Sequence, residues 1–487
     1  MDKIRRNFFL RFILSILSGI AIFFAFPPFR TGFLAFLGFI PLLAASSENS
    51  KSNFFLGTAA GFLFYSLSFF WLYNLAGFFY MLLALYLSLF WGLFLYLVFA
   101  LPSRGRVFTG AFSWFLLEII VSCLFTGFPW LLLGLSQWQN FRILKIAGIF
   151  GIYGISFLVI LANLALFHFF KKKHFTSLFL SLLIFGAVFV FPFERLQKTE
   201  AAGEMSVMVV QPGIISSEQK DPGKIFAALK ELTCKNINGG KPDIVIWPEG
   251  SFPDDIDRHP GLKKEVKKLA EKNASAVLLG TFSKAEGELL YNSAFLFGTD
   301  AVQVYNKNRL APFGEFIPGG RWRLIRSVFQ DTAGYIPMVK HGESKTLFIL
   351  GDKRIAPLIC FENVFPSMVA EFNMKGAEVF LVVTNDSWYG RFLGPYQHFA
   401  HNSMRAAESG KYFVQSSLSG ISGVVSPGGH VLETVRKEGE QLFVAGVLFY
   451  KVPLIRGETI YSRLGDLPLF LISILFTGVV LCGMRKN

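Results

Sequence analysis

Seven apolar runs of membrane-spanning length crowd into the first 193 residues, and an eighth closes the chain. They lie at about 8–27, 31–47, 53–74, 79–101, 107–124, 146–170, 175–193 and 467–484. A helix of ~20 apolar residues matches the hydrocarbon thickness of a bilayer. Lipid offers no partner for backbone N–H and C=O groups, so each run predicts a helix that satisfies its own. The run at 31–47 is short, and only Phe26-Pro27-Pro28-Phe29-Arg30 separates it from the first. With 53% hydrophobic and 16% charged residues and a mean hydropathy of +0.48, the chain is neither a disordered nor a wholly soluble protein.

Charge is distributed unevenly. Residues 1–193 carry thirteen of the 47 Lys and Arg but only three of the 33 acids: Asp2, Glu48 and Glu118. The basic excess therefore belongs to the apolar part, where it reads as membrane topology; a nucleic-acid partner would need it on a folded face. Met1 to Arg6 resembles the start of a signal peptide, but no small-residue cleavage site follows, so the first run is read as a retained anchor. With the N-terminus in the cytoplasm, eight crossings place Lys3, Arg5, Arg6, Arg11, Lys51, Arg104, Arg106, Lys171, Lys172, Lys173, Arg485 and Lys486 at the inner face. Only Arg30, Arg142 and Lys145 fall in short outer loops, a distribution that obeys the positive-inside rule. The expected organisation is a seven-span bundle over 1–194, an extracytoplasmic domain over 195–465, and a last span with a cytoplasmic tail over 466–487.

The sequence period changes near residue 205. Short β-branched runs, such as Ser206–Gln211, Asp243–Trp247, Ala276–Gly280, Tyr291–Phe297, Ile355–Ile359, Glu378–Thr384, Tyr412–Gln415, Gly423–Ser426 and Leu442–Phe449, now predict strands. Helical stretches at 222–235, 260–272 and 396–410 lie between them, which predicts a layered α/β domain. No metal-ligand spacing, Gly-rich phosphate loop or internal repeat appears, so no cofactor and no metal is expected. Cys123 and Cys482 sit in predicted spans, leaving Cys234 and Cys360 in the exported domain. Outside the cytoplasm those two could form a disulfide, or one could be a free reactive thiol.

Three segments could carry chemistry, each at or just beyond a predicted strand end. Glu249 in Ile246-Trp247-Pro248-Glu249-Gly250 is held by the preceding proline, which suits a general base, although an exposed turn acid reads the same alone. Lys307, in the run from Tyr305 through Asn306 and Arg309 to Pro312-Phe313-Gly314-Glu315, could favour a thiolate and bind an oxyanion, or simply be solvated. Cys360 ends the apolar strand before Phe361-Glu362, as a nucleophile or as a buried structural thiol.

Taken together and in this order, the three segments resemble the Glu–Lys–Cys constellation of the nitrilase superfamily. With seven spans before the domain and one after, the chain resembles the apolipoprotein N-acyltransferases of that superfamily. Thr126-Gly127-Phe128-Pro129-Trp130, Ser136-Gln137, Val210-Gln211, Asn385-Asp386-Ser387-Trp388-Tyr389-Gly390, Gly394-Pro395-Tyr396-Gln397-His398 and Arg405-Ala406-Ala407-Glu408 extend the likeness over nearly the whole chain. The resemblance implies a polytopic helical bundle plus an exported α–β–β–α sandwich, in a bacterial inner membrane with the catalytic domain on the periplasmic side.

It also implies Cys360 as nucleophile, Glu249 as general base and Lys307 as partner of the tetrahedral intermediate, with Glu315 and Glu362 supporting them. Trp130, Phe361, Trp388 and Tyr389 are then candidate substrate contacts. The implied partners are a phospholipid acyl donor and a diacylglyceryl apolipoprotein acceptor, joined through a thioester on the enzyme. Two departures bear on how they dock: no Trp follows Gln211 in the run to Lys220, and Phe361 stands where the family often has Tyr.

Two other readings remain open at this level: a membrane-tethered amidase or nitrilase-type hydrolase, and a non-catalytic lipid-binding or transport protein. Lipid substrates explain the many spans, since moving an acyl chain into water costs ~0.8 kcal/mol per CH₂. Glu118, inside the fifth span, reads equally as a functional acid or a bundle contact. Tyr389–His398 is expected to form a mobile cover over the site or a packed surface loop, and His398 itself to be structural.

Overall fold

In the computed structural model the described part of each apolar run is mainly helical. The structure describes residues 7–100, 105–172, 175–191, 198–215, 221–237, 240–298, 301–312, 314–317, 323, 327 and 339–484. Among them, four helices are long and apolar enough to cross a membrane: Phe8–Ala25, Phe70–Ala100, Arg106–Cys123 and Ala147–Lys171. Gly32–Ala44, Phe175–Val190 and Leu467–Phe476 are apolar but shorter. The helix Ser50–Ser68 has the length, but it opens on the polar Ser50-Lys51-Ser52-Asn53. The expected eight spans thus comprise four helices of full spanning character and four that are shorter or more polar.

The chain forms two units, one of residues 1–73, 77–197 and 463–487, the other of 74–76 and 198–462. In the first, small residues let helices meet at backbone distance, which replaces the hydrophobic drive absent between helices in lipid. A Cβ on Gly57 would lie 2.5 Å from the Trp91 carbonyl oxygen, and one on Gly92 would lie 2.7 Å from that of Phe54. Polar ties fix the rest. The Arg11 Nε donates to the Ala45 carbonyl at 2.6 Å, and Asn163 bridges the Ala35 carbonyl and the Phe39 N–H. Glu118 accepts from the Leu133 N–H at 2.6 Å.

Among the described residues the second unit holds thirteen strands. They are β1 (Lys198–Gln211), β2 (Ile244–Ile246), β3 (Phe252–Asp255), β4 (Ala276–Lys284), β5 (Leu290–Phe297), β6 (Val302–Asn306), β7 (Phe348–Leu350), β8 (Lys353–Ile359), β9 (Val379–Thr384), β10 (Phe413–Ser417), β11 (Gly423–Val425), β12 (Val431–Thr434) and β13 (Gly446–Glu458). One sheet runs β13-β1-β2-β4-β5-β6 with β3 beside β4; the other runs β12-β11-β10-β9-β8-β7. The sheets meet through pairs such as β1 with β10 and β5 with β8.

Helices Pro222–Asn236 and Pro260–Asn273 cover the first sheet, and Gly394–Ser409 covers the second, completing the α–β–β–α sandwich. Alternate residues Met208 and Val210, Val245 and Trp247, Val277 and Leu279, Phe295 and Phe297 pack with Ile225, Leu229, Val266 and Leu269 of the helices. Their intervening neighbours, such as Val207, Val209 and Leu278, are also fully buried. Burial on both faces explains why these strands read as unbroken apolar runs.

The four strands not expected, β3, β6, β7 and β12, all lie at sheet edges or off the main path, where less apolar surface is needed. The expected strand at 442–449 instead runs from Gly446 to Glu458 through Pro453. That proline is tolerated because β13 is an edge strand, and its partner Glu204 adjoins a bulge in β1. The buried Lys411 Nζ donates to the Ile455 and Gly457 carbonyls, at 2.6 and 2.7 Å, near the end of β13.

Candidate active site

Strand ends bring the candidate groups together. β2 leads through Trp247 and Pro248 to Glu249, β6 ends one residue before Lys307, and β8 ends one residue before Cys360. Cys360 opens the 3₁₀ turn Cys360–Val364 with φ +51°, a left-handed conformation that costs a non-glycine residue about 1–3 kcal/mol. Cys234 and Cys360 are both free thiols, so the disulfide reading falls.

Glu249 and Glu315 share two donors. Lys307 Nζ lies 3.2 Å from Glu249 Oε1 and 3.0 Å from Glu315 Oε1. Asn292 Nδ2 donates to the same two oxygens at 2.7 and 2.6 Å. The outer oxygens are also held, Glu249 Oε2 by the Asn385 N–H and Glu315 Oε2 by the Ala311 N–H. Burial works against the Lys307 ammonium, but the charges of Glu249 and Glu315 outweigh it and hold its pKa above the usual lysine range. Burial pushes the Cys360 thiol well up, Glu249 adds to this, and Lys307 opposes both. Lys307 thus favours the thiolate, but burial and the Glu249 charge outweigh it.

Glu362 is fully buried and accepts four hydrogen bonds: from Tyr305 Oη, Asn308 N and Arg309 N on Oε1, and from Ile359 N on Oε2. It ties the segment after β6 to the end of β8, and burial raises its pKa to about 7. Tyr389 Oη lies 3.8 Å from the Cys360 sulfur, and Phe361 is buried edge-on against Phe365. Trp388 is half exposed. Trp130 lies in the other unit, where Trp71 and Phe128 pack around it and leave it 1% exposed. The expected cover is shorter than Tyr389–His398: Gly394 to His398 are helical, so only residues 390–393 form a loop.

Sequence reasoning set His398 aside and passed over Asn292, Asn363 and Asp386 as site residues. His398 Nδ1 faces Asp386 Oδ1 at 2.8 Å, and its Nε2 faces Asn363 Oδ1 at 2.9 Å and the Cys360 carbonyl at 3.2 Å. A relay anchored on the Ile421 carbonyl orients the amides: Gln415 donates to it, Asn402 to Gln415, and Asn363 to Asn402. The ring's partners are thus a carboxylate, a side-chain amide oxygen and a backbone carbonyl. The signal available in sequence was the joint presence of Asn385-Asp386 and Gln397-His398, but only the fold shows that they meet.

Ligand atoms of Cys360, Asp386 and His398 lie within 4.8 Å of one another, a grouping of metal-binding type that the sequence spacing did not reveal. Within this grouping both imidazole nitrogens already face protein oxygens, those of Asp386, Asn363 and the Cys360 backbone. His398→Gln keeps one donor and strands part of the network. It is expected to cost about 2–3 kcal/mol, read as a fall of roughly 5–10 °C in the unfolding midpoint.

Glu249 is also placed by an absence of side chain. A Cβ on Gly280 in β4 would come within 2.5 Å of the Glu249 Cα and 3.0 Å of the Pro248 carbonyl oxygen. Gly280→Ala must therefore displace Glu249. A misplacement of ~1 Å at a reacting group can cost about 10²-fold, so the rate of Cys360 acylation is expected to fall about that far, measured by single-turnover mass spectrometry.

Two family models match the chain: the apolipoprotein N-acyltransferase N-terminal domain over residues 18–165, and carbon-nitrogen hydrolase over 206–452. The chain is 30% identical to the apolipoprotein N-acyltransferase of Geobacter metallireducens over 93% of its own length and 92% of that protein's. It is likewise 30% identical to that of Haemophilus influenzae, over 96% and 94%. Among solved structures, it is similar to an amidase from Nesterenkonia sp., at 17% identity and TM-score 0.36, covering 55% of this chain and 95% of that one.

Proposed function

The chain belongs to the apolipoprotein N-acyltransferase family, and from that premise we propose that it moves an acyl chain from a phospholipid to the N-terminal amine of diacylglyceryl-cysteine on apolipoproteins. The observation that carries the mechanism is the convergence of Glu249, Lys307 and Glu315 beside a buried Cys360 thiol at a strained strand end. In the first half-reaction Glu249 takes the thiol proton as sulfur attacks the ester carbonyl. Lys307 steadies the oxyanion, the carbonyl–oxygen bond breaks, and the lysophospholipid leaves with the proton. In the second, the free amine attacks the thioester, Glu249 accepts its proton, and the sulfur departs to take that proton back. The product is an amide.

We assign Glu315 and Glu362 to holding this arrangement, Glu315 by sharing Lys307 and Asn292, Glu362 by fixing both strand ends. A thiol kept protonated by burial fits a step in which proton removal accompanies attack. The unequal basic charge supports a multi-pass protein of the bacterial inner membrane, with residues 195–465 on the periplasmic side.

Incubation of the purified protein with phospholipid, followed by a diacylglyceryl-cysteine peptide, tests the proposal. An acyl-sized adduct discharged as N-acylated peptide is expected. Discharge by water at the same rate would make the protein a hydrolase, and no adduct on an intact thiol would overturn the covalent route.

A further inference from the structure

The three cations that break the inner-face pattern, Arg30, Arg142 and Lys145, do not share one fate. Lys145 is consumed structurally, its Nζ donating to the Phe189 and Phe191 carbonyls at the end of the helix Phe175–Val190. Arg30 and Arg142 instead line one crevice of about 400 Å³ with Trp138, Gln139 and Asn140. No carboxylate lines it. Among the described residues neither guanidinium has a hydrogen-bond or ion-pair partner. Two like charges are thus held around one opening with nothing to neutralise them.

The crevice is preformed. Its two walls come from segments more than a hundred residues apart, locked by Gln137 Nε2 donating to the Gly32 carbonyl at 2.7 Å. The segments touch so closely that a Cβ on Gly32 would lie 2.3 Å from the Ser136 carbonyl oxygen. The exposed rings of Phe33 and Phe141 flank the opening. Aromatic rings beside guanidinium groups are the composition of a membrane interface at headgroup depth. A guanidinium pair matches the oxygens of a phosphate through paired, charge-assisted hydrogen bonds.

We infer that Arg30 and Arg142 bind the phosphate of a phospholipid headgroup in the outer leaflet. Trp138, Gln139 and Asn140 line the same crevice, and Phe33 and Phe141 face the lipid's glycerol and chains. Only the choice of lipid rests on the acyltransferase reading; the charge and geometry of the crevice stand without it.

Native mass spectrometry of the full chain in detergent tests this, using phosphatidylglycerol, diacylglycerol and inorganic phosphate as probes. Retention of one phosphatidylglycerol is expected, weakened at least about tenfold in Arg30→Gln/Arg142→Gln, with Arg30→Lys/Arg142→Lys intermediate. An unchanged unfolding midpoint certifies the fold of each variant. Equal retention by the Gln variant, or equal binding of diacylglycerol, would overturn the proposal. Retention of inorganic phosphate without retention of lipid would assign the site to a free ion and overturn the lipid claim. Cys360→Ala is expected to hold the lipid as the parent does, so the crevice can fail while the acyl-transfer mechanism stands, and the reverse.

Discussion

Replacing Cys360 by alanine is expected to abolish the acyl adduct and lower acyl transfer by at least about 10⁴-fold. Among the described residues it is the buried thiol of the second unit, and the groups around it can move a proton and hold an oxyanion but cannot form the intermediate. Cys360→Ser sharpens the test. Serine fits the same space, but its hydroxyl is a far weaker nucleophile without a strong base, so it should be nearly as inactive. Neither change should unfold the protein, since both residues are small and meet the same φ of +51°. Intact mass spectrometry reads the adduct, and the unfolding midpoint reads the fold. Adduct formation on the alanine variant would remove Cys360 from the reaction altogether.

Lys307→Met is expected to damage both activity and stability. Removing an oxyanion partner costs about 10²–10³-fold in rate. The larger effect is on the acids left behind: Glu249 and Glu315 would face each other across Asn292 with no cation between them. Breaking a buried ion pair on one side costs about 3–5 kcal/mol. Glu315→Gln added to Lys307→Met removes the repulsion, so the double variant should regain much of the stability while staying inactive. That split separates Lys307 as an electrostatic partner from Lys307 as a structural ion. Additive losses in the double variant would argue against a shared charge cluster.

The legible part of this protein followed from strong local signals. Apolar runs of spanning length, the change of period near residue 205, and Glu249 and Cys360 at the ends of expected strands needed only the chain itself, whereas the strand that ends before Lys307 was not among those expected. What escaped was set by partners distant in sequence. Asn292 matters because β5 carries it between two carboxylates, and nothing in Leu290–Phe297 announces that. His398 reads as structural, and what a linear reading cannot give is the partners it holds, the Cys360 carbonyl, Asp386 and Asn363. The span count blurred for a different reason. Hydropathy reports composition, whereas the prolines at Pro27, Pro28 and Pro41 and the polar start of Ser50–Ser68 shorten or dilute helices that composition joins.

The pairing of β1 with β13 has a mechanical consequence. Lys198 lies opposite Glu458, so the polypeptide enters and leaves the sandwich as two neighbouring antiparallel strands. Tension applied to both chain ends would load that ribbon as a zipper, opening one rung at a time, and would not shear it. The first rungs, from Lys198 to Ala201, lie on the outer side of the bulge before Glu204, and Lys411 grips the carbonyls of Ile455 and Gly457 there. Lys411 is thus the rivet at the mouth of the ribbon, where the first and last strands of the sandwich lie a single strand spacing apart.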